Sequence, residues 1–390
     1  MTMLVITKVT IITPATTIPD GTVVIEDGRI VSVVRSQDVT IPLGVETIDA
    51  RGLFLAPGFI DLQINGAFGY DFTKNPSQIW DAASKLVQYG ITTFLPTIVS
   101  TSLKNVREAQ SVLVQKPGRA SRGATPLGLH VEGPFLNPAK KGAHNPKHLR
   151  LPTLRDVSEW MPETGIRLVT LAPELIGALE VIKALVKSGV VVSAGHSLAG
   201  FEEAKSGIEA GIRYATHVFN GMPALHHREP ALTGAVLADE RVTVGLIADG
   251  IHVHPALVKL LWQLLWDGRL NLVTDSMAAL GKEPGTYRLG DLTVTVTGET
   301  CRLSDGTLAG SILSLDKAVR NLISFTGCGL GQAIRTVTAT PATVLGIANR
   351  KGQIAPGYDA DLVLLTADCE VEATVVDGSL VYRKEEEIIR

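Results

Sequence analysis

A chain of 390 residues with 36 basic against 39 acidic side chains, nine histidines and three cysteines excludes several classes at once. The balance lacks the basic excess of a nucleic-acid binder, so no nucleic-acid partner is expected. Cys301, Cys328 and Cys369 are odd in number, far apart and in no C-x-x-C spacing, which argues against a disulfide framework or a zinc knuckle and for a reducing cytoplasm. The N-terminus shows no basic segment followed by an apolar stretch and a cleavage site, and no apolar run approaches about 18 residues. A soluble, unexported protein with no membrane partner is the expectation, and the acidic run at 384–387 is too short to act as a tail.

In chain order, residues 1–55 are rich in β-branched side chains in short runs separated by turn signals such as Asp27-Gly28, which predicts strands. From 56 to 345 apolar strand-like runs alternate with helical stretches. Eight buried strands are expected at 58–63, 92–96, 127–131, 167–171, 190–194, 214–216, 242–247 and 270–274, with helices at 78–89, 103–115, 176–188, 201–210 and 255–267. Residues 346–390 return to strand character. The fold class expected is α/β: a (β/α)8 TIM-type barrel over 56–345, with a small β-sandwich domain formed by the N- and C-terminal segments 1–55 and 346–390. An open doubly wound sheet is the weaker alternative, because the glycine-rich stretch at 327–331 follows no clear strand and misses the G-x-G-x-x-G spacing.

In such a barrel chemistry gathers where strands end. The expected strands lead into Gln63 and Asn65, Glu132, Glu174, His196, His217, Asp249 with His252, and Asp275. One carboxylate and two imidazoles, Glu132, His196 and His217, form a ligand set for a catalytic divalent ion with an open position, provided the barrel brings them together; otherwise each is an ordinary polar strand end. Asp275 is either a group that moves a proton or the N-cap of a short helix. His144, in a Gly- and Pro-containing loop that follows Glu132, either donates to a carbonyl oxygen or is an exposed loop residue. Arg228 and His252 offer positive charge to an anionic group such as a phosphate, or are simply solvated. Trp262 and Trp266 are expected to pack in the core.

Six segments then carry a resemblance: Pro57-Gly58-Phe59-Ile60-Asp61-Leu62-Gln63-Ile64-Asn65-Gly66, His130-Val131-Glu132-Gly133-Pro134-Phe135, Lys141-Gly142-Ala143-His144-Asn145-Pro146, Ala194-Gly195-His196-Ser197, Thr216-His217-Val218-Phe219-Asn220-Gly221-Met222-Pro223 and Val273-Thr274-Asp275. Together, in this order and over nearly the whole chain, they resemble the N-acetylglucosamine-6-phosphate deacetylases of the amidohydrolase superfamily. The resemblance implies a hydrolase of amino-sugar catabolism and cell-wall sugar recycling, converting N-acetyl-D-glucosamine 6-phosphate to D-glucosamine 6-phosphate and acetate. It implies metal ligation by Glu132, His196 and His217, attack of metal-bound water with Asp275 as base and then acid, and polarisation of the carbonyl by His144. Ala143, His144, Asn220, Gly221, Arg228, Asp249, Gly250, Ile251, His252, Leu308, Ala309 and Gly310 are implied to bind the small-molecule sugar phosphate. A homodimer is implied as well, since related enzymes take some phosphate contacts from a neighbouring subunit.

The wider superfamily's H-x-H pair is replaced here by Gln63-Ile64-Asn65. Neutral amides are poor ligands for divalent ions, so one ion per subunit is expected, zinc foremost, with iron, cobalt or manganese as alternatives. The other readings are an N-acetylgalactosamine-6-phosphate deacetylase and a catalytically silent sugar-phosphate-binding barrel.

Overall fold

A computed structural model describes residues 2–13, 16–114, 123–266 and 268–384. Residues 385–387 of the acidic run and the expected helix ends at Gln115 and Asp267 lie outside these.

Eight parallel strands form a barrel: Phe59–Ile64, Ile91–Val99, Leu129–Glu132, Ile166–Leu171, Val191–Ala194, Tyr214–Ala215, Thr243–Leu246 and Leu270–Leu272. We call them the first to the eighth. All six residues of the first and all nine of the second are buried, the pattern of strands covered on both faces. Neighbours pair in parallel around the ring, with register shifts at Phe59/Ile60, Asp61/Ile64 and Leu129/His130, and the seam between eighth and first closes beyond the regular strands. There Ile64 bridges Ser276, Asp275 N donates to Gln63 O (3.0 Å) and Asn65 N donates to Ser276 O (2.8 Å). The intervening helices bury one stripe each. Ala178–Lys187, for example, turns Ala178, Val181, Ile182 and Leu185 inward, the spacing that a 3.6-residue period requires.

A second sheet gathers strands from both chain ends. Leu362–Leu365 pairs antiparallel with Phe54–Pro57, which pairs parallel with Met3–Ile12, so the last strands join the first. Phe54–Pro57 runs into the barrel across Gly58, where an added Cβ would lie 2.2 Å from the Thr92 hydroxyl; only glycine lets the two strands pass so closely. Below this junction Lys351, 7% exposed, pairs with Asp359 and Asp361.

Beyond the eighth strand the chain forms an antiparallel sheet of Gly285–Leu289, Leu292–Thr297 and Thr300–Arg302. Its Gly290-Asp291 turn is held by Asp71, which accepts from Gly290 N (2.6 Å), and by an Asp291–His148 contact of 2.9 Å. Trp262 packs against the core, whereas Trp266 does not. It is 54% exposed, because the helix Pro255–Leu265 ends just before it and leaves its ring outside the packed stripe.

Candidate metal centre and substrate cavity

Glu132 ends the third strand, and His196 and His217 follow the fifth and sixth. All three are buried, and their ligand atoms converge: His217 Nε2 lies 3.0 Å from Glu132 Oε1 and 3.1 Å from His196 Nε2, and His196 Nε2 lies 3.3 Å from Glu132 Oε1. Tetrahedral zinc with bonds of roughly 2.0–2.1 Å has edges of about 3.3 Å, so the three donors fit one face of such a site. The His196 ring is set for that role. Its Nδ1–H donates to Lys140 O (2.9 Å), which leaves the Nε2 lone pair pointing at the other two donors. Burial opposes ionisation of Glu132, but the adjoining His196 and His217 prevail and hold it as a carboxylate well below the usual range.

Backbone strain accompanies this convergence. His196 (φ +49°), His217 (φ +25°) and Asp275 (φ +49°) all lie in the left-handed region that non-glycine residues avoid. Each is the residue at which the chain leaves a strand and turns over the barrel mouth. No helix starts at Ser276, so Asp275 is not an N-cap. Its Oδ1 accepts from Gln63 Nε2 (3.1 Å) and Asn65 Nδ2 (2.8 Å). Burial, and then the charge of Glu132, raise its pKa to about 6, within reach of a proton shuttle at neutral pH.

His144 is buried at 3% exposure, so it is not a loose loop residue. Its Nδ1 accepts the backbone N–H of Ser100 (3.2 Å) and lies 2.9 Å from Ser100 Oγ. A backbone N–H can only donate, so the ring proton sits on Nε2, which faces Glu132 Oε2 at 3.8 Å. Burial, helped by the nearby His196, lowers the His144 pKa to about 3 and keeps the ring a neutral donor.

These groups line a cavity of about 200 Å3 together with Asn65, Gly142, Ala143, Asn220, Gly221, His252, Leu308 and Gly310, and with Val99, Leu289 and Thr307. Asp249 lies behind His252, accepting from Ile251 N and His252 N at 2.8 Å and pairing with His252 Nδ1 at 2.6 Å. Gly250 and Ile251 form the intervening turn. Ala309 is buried in the small cluster beneath the antiparallel sheet. Arg228 is not brought in. It lies on the surface, its guanidinium 2.9 Å from His227, in a shallow groove with Leu198, Phe201 and Pro223. Sequence reasoning missed three features: Ser100, Leu289 with its sheet, and the use of Gln63 and Asn65 as donors to carboxylates. The sheet had a readable signal, the alternation of Thr293-Val294-Thr295-Val296-Thr297 after a Gly-Asp turn.

A buried carboxylate–imidazole cluster that could hold a metal ion, at the mouth of a (β/α)8 barrel, is the arrangement of a hydrolase site. In keeping with this, a model of the amidohydrolase family matches residues 54–381, and the chain belongs to that family. Within it the chain is similar to the N-acetylglucosamine-6-phosphate deacetylase of Bacillus subtilis, 36% identical over 391 residues and covering 98% of each chain. It is also similar to a crystal structure of the Mycobacterium smegmatis N-acetyl-D-glucosamine-6-phosphate deacetylase, a mutant in complex with N-acetyl-D-glucosamine 6-phosphate. That match has a TM-score of 0.89 at 31% identity and covers 98% of this chain and 100% of the other. The N-acetylgalactosamine-6-phosphate deacetylase of Escherichia coli O157:H7 is 36% identical over 343 residues, 87% of this chain and 90% of its own.

Proposed function

We propose that the chain deacetylates N-acetyl-D-glucosamine 6-phosphate, yielding D-glucosamine 6-phosphate and acetate. The observation that carries this is the meeting, in one cavity, of a three-ligand cluster, a neutral histidine donor and a carboxylate whose pKa is pushed towards neutrality. Glu132, His196 and His217 would hold a divalent ion, whose chemistry there would be Lewis acidity towards a carbonyl oxygen and a lowered pKa for a water. His144 donates from Nε2 to the carbonyl oxygen as negative charge develops there. Asp275, its Oδ1 held by Gln63 and Asn65, takes a proton from the attacking water and returns it to the departing sugar nitrogen. His252, oriented by Asp249, faces the phosphate, and Ala143, Asn220, Gly221 and the Leu308–Gly310 backbone enclose the sugar.

One ion per chain, zinc foremost, is the occupancy we assign. Gln63 and Asn65 are engaged as donors to Glu132 and Asp275, and amide oxygens are weak ligands. A homodimer is supported by the placement of Arg228 outside its own cavity beside exposed Leu198, Phe201 and Leu225, and by the bare outer face of Leu257, Leu260 and Leu264. Sedimentation of the purified protein checks it. Three buried free cysteines agree with a cytoplasmic setting; among the described residues no helix is long and apolar enough to cross a membrane.

The test is acetate release from the gluco and galacto N-acetylhexosamine 6-phosphates by apo-protein loaded with Zn2+, Fe2+, Co2+ or Mn2+. Release from the gluco substrate, abolished by chelation, is expected. Preference for the galacto epimer would select the second reading, and no release with any ion would overturn both.

A further inference from the structure

Glu174, after the fourth strand, is the one polar strand end singled out by the sequence that the reaction leaves without a role. Its Oε1 accepts from Leu198 N (2.6 Å) and Asn137 Nδ2 (3.0 Å), and its Oε2 accepts from Ser197 Oγ (2.7 Å). Ser197 and Leu198 immediately follow His196. Asn137 reaches the same histidine from the other side, since its backbone N–H donates to His196 O (2.9 Å). Its side-chain oxygen caps the short helix Pro138–Lys140 (3.0 Å), and the Lys140 carbonyl at the end of that helix receives the His196 Nδ1 proton.

One carboxylate thus anchors two hydrogen-bonded paths that close a ring around His196, one holding its backbone and one fixing its ring orientation and tautomer. Charge-assisted bonds are the stronger kind, and a residue in the left-handed region at φ +49° persists only when its surroundings over-determine it. A glutamine would keep an oxygen for Leu198 N and Asn137 Nδ2 and could donate to Ser197 Oγ, which accepts as well as donates, so it removes the charge alone, whereas alanine removes the anchor of all three bonds.

We propose that Glu174 is a positioning residue for the metal ligand His196, setting metal affinity without touching substrate or ion. The inference rests on the metal reading above. The test is the dissociation constant of Zn2+ or Co2+ measured by chelator competition on the full-length apo-protein. Glu174→Ala is expected to weaken binding by about 10-fold, the lower end of the range seen when partners of metal-bound histidines are removed, and Glu174→Gln, which keeps most of the hydrogen bonds, by less. The KM for N-acetylglucosamine 6-phosphate should stay unchanged once metal is saturating. Ser197→Ala and Asn137→Ala each remove one donor to Glu174 and should weaken binding by smaller factors; they carry the test if Glu174→Ala does not fold. Affinities within about threefold of wild type in the folded variants would overturn the proposal, as would a lowered apo melting temperature with unchanged metal affinity. A wild-type chain that binds no divalent ion would overturn the metal reading together with this inference, whereas normal wild-type binding with unaffected variants would overturn the inference alone.

Discussion

Replacing Gly221 by alanine adds one carbon behind the His196 ring, where there is no room for it. The new Cβ would lie 2.8 Å from Nδ1, 3.1 Å from Cε1 and 3.3 Å from Cγ, roughly 0.6 Å inside ordinary contact at the nearest atom. The ring cannot retreat freely. Its Nδ1 is held by Lys140 O, and His144 and His217 stand edge-on at centroid distances of 4.6 and 4.8 Å. Metal sites tolerate ligand displacements of only about 0.2 Å, so a shift of this size should weaken Zn2+ or Co2+ binding by at least about 10-fold. A separate backbone cost of about 1–2 kcal/mol comes from placing alanine in the left-handed region, here at φ +62°, and it acts with or without metal. Gly306→Ala isolates that cost, since Gly306 has φ +87° with nothing near its Cβ position. The assay pairs chelator competition with thermal melting of the apo-proteins. Gly221→Ala should lose both stability and metal affinity, and Gly306→Ala stability alone. Metal affinity in Gly221→Ala equal to that in Gly306→Ala would refute the reasoning.

Asp61 is fully buried, and burial raises its pKa from 3.8 to about 7 despite hydrogen bonds from Thr274 and Gln63. Below the unfolded-state value both states hold the proton; as pH rises towards 7 only the unfolded chain releases it, so stability falls across that window and stays reduced above it. Asp61→Asn should therefore raise the unfolding free energy from urea titration more at pH 8 than at pH 5, by an amount on the order of a few kcal/mol; an equal change at both pH values would count against it. Lys351→Met strips the cation from buried Asp361, while Asp359 keeps Arg29 and Arg350, and should cost about 3–5 kcal/mol, leaving the turnover of folded protein intact; an unmoved denaturation midpoint would contradict this. Ser100→Ala keeps the backbone N–H that fixes the His144 tautomer, so its kcat should fall by less than about 10-fold, against about 100–1,000-fold for His144→Phe. Comparable losses in the two variants would show that the hydroxyl, and not the backbone, sets the ring.

The barrel was legible because each strand is a short apolar run ended by a polar residue, and each of the eight expected runs overlaps an observed strand. The ends at Glu132, His196, His217 and Asp275 could be picked out because carboxylates and imidazoles are unusual after such runs. What could not be read was direction. Nothing in the residue types says that the Gln63 and Asn65 amides point their N–H groups at carboxylates, or that His144 finds its partner in the main chain of Ser100. A backbone donor leaves no trace in the sequence. The position of Arg228 escaped for another reason: Asn220 and Gly221 of the same loop line the cavity while Arg228 lies in a surface groove, and no local pattern records which surface each part of a loop faces.

The closing seam has a kinetic meaning. The amides of Asp275 and Asn65 make main-chain bonds across the seam between the eighth strand and the first, and the same two residues meet again through their side chains inside the cavity. Fraying of the barrel at this edge would therefore disarm the proton shuttle while the remaining strands stay paired. Hydrogen exchange at the amides of Asn65 and Asp275 would report, in the resting protein, the fraction of molecules momentarily out of service.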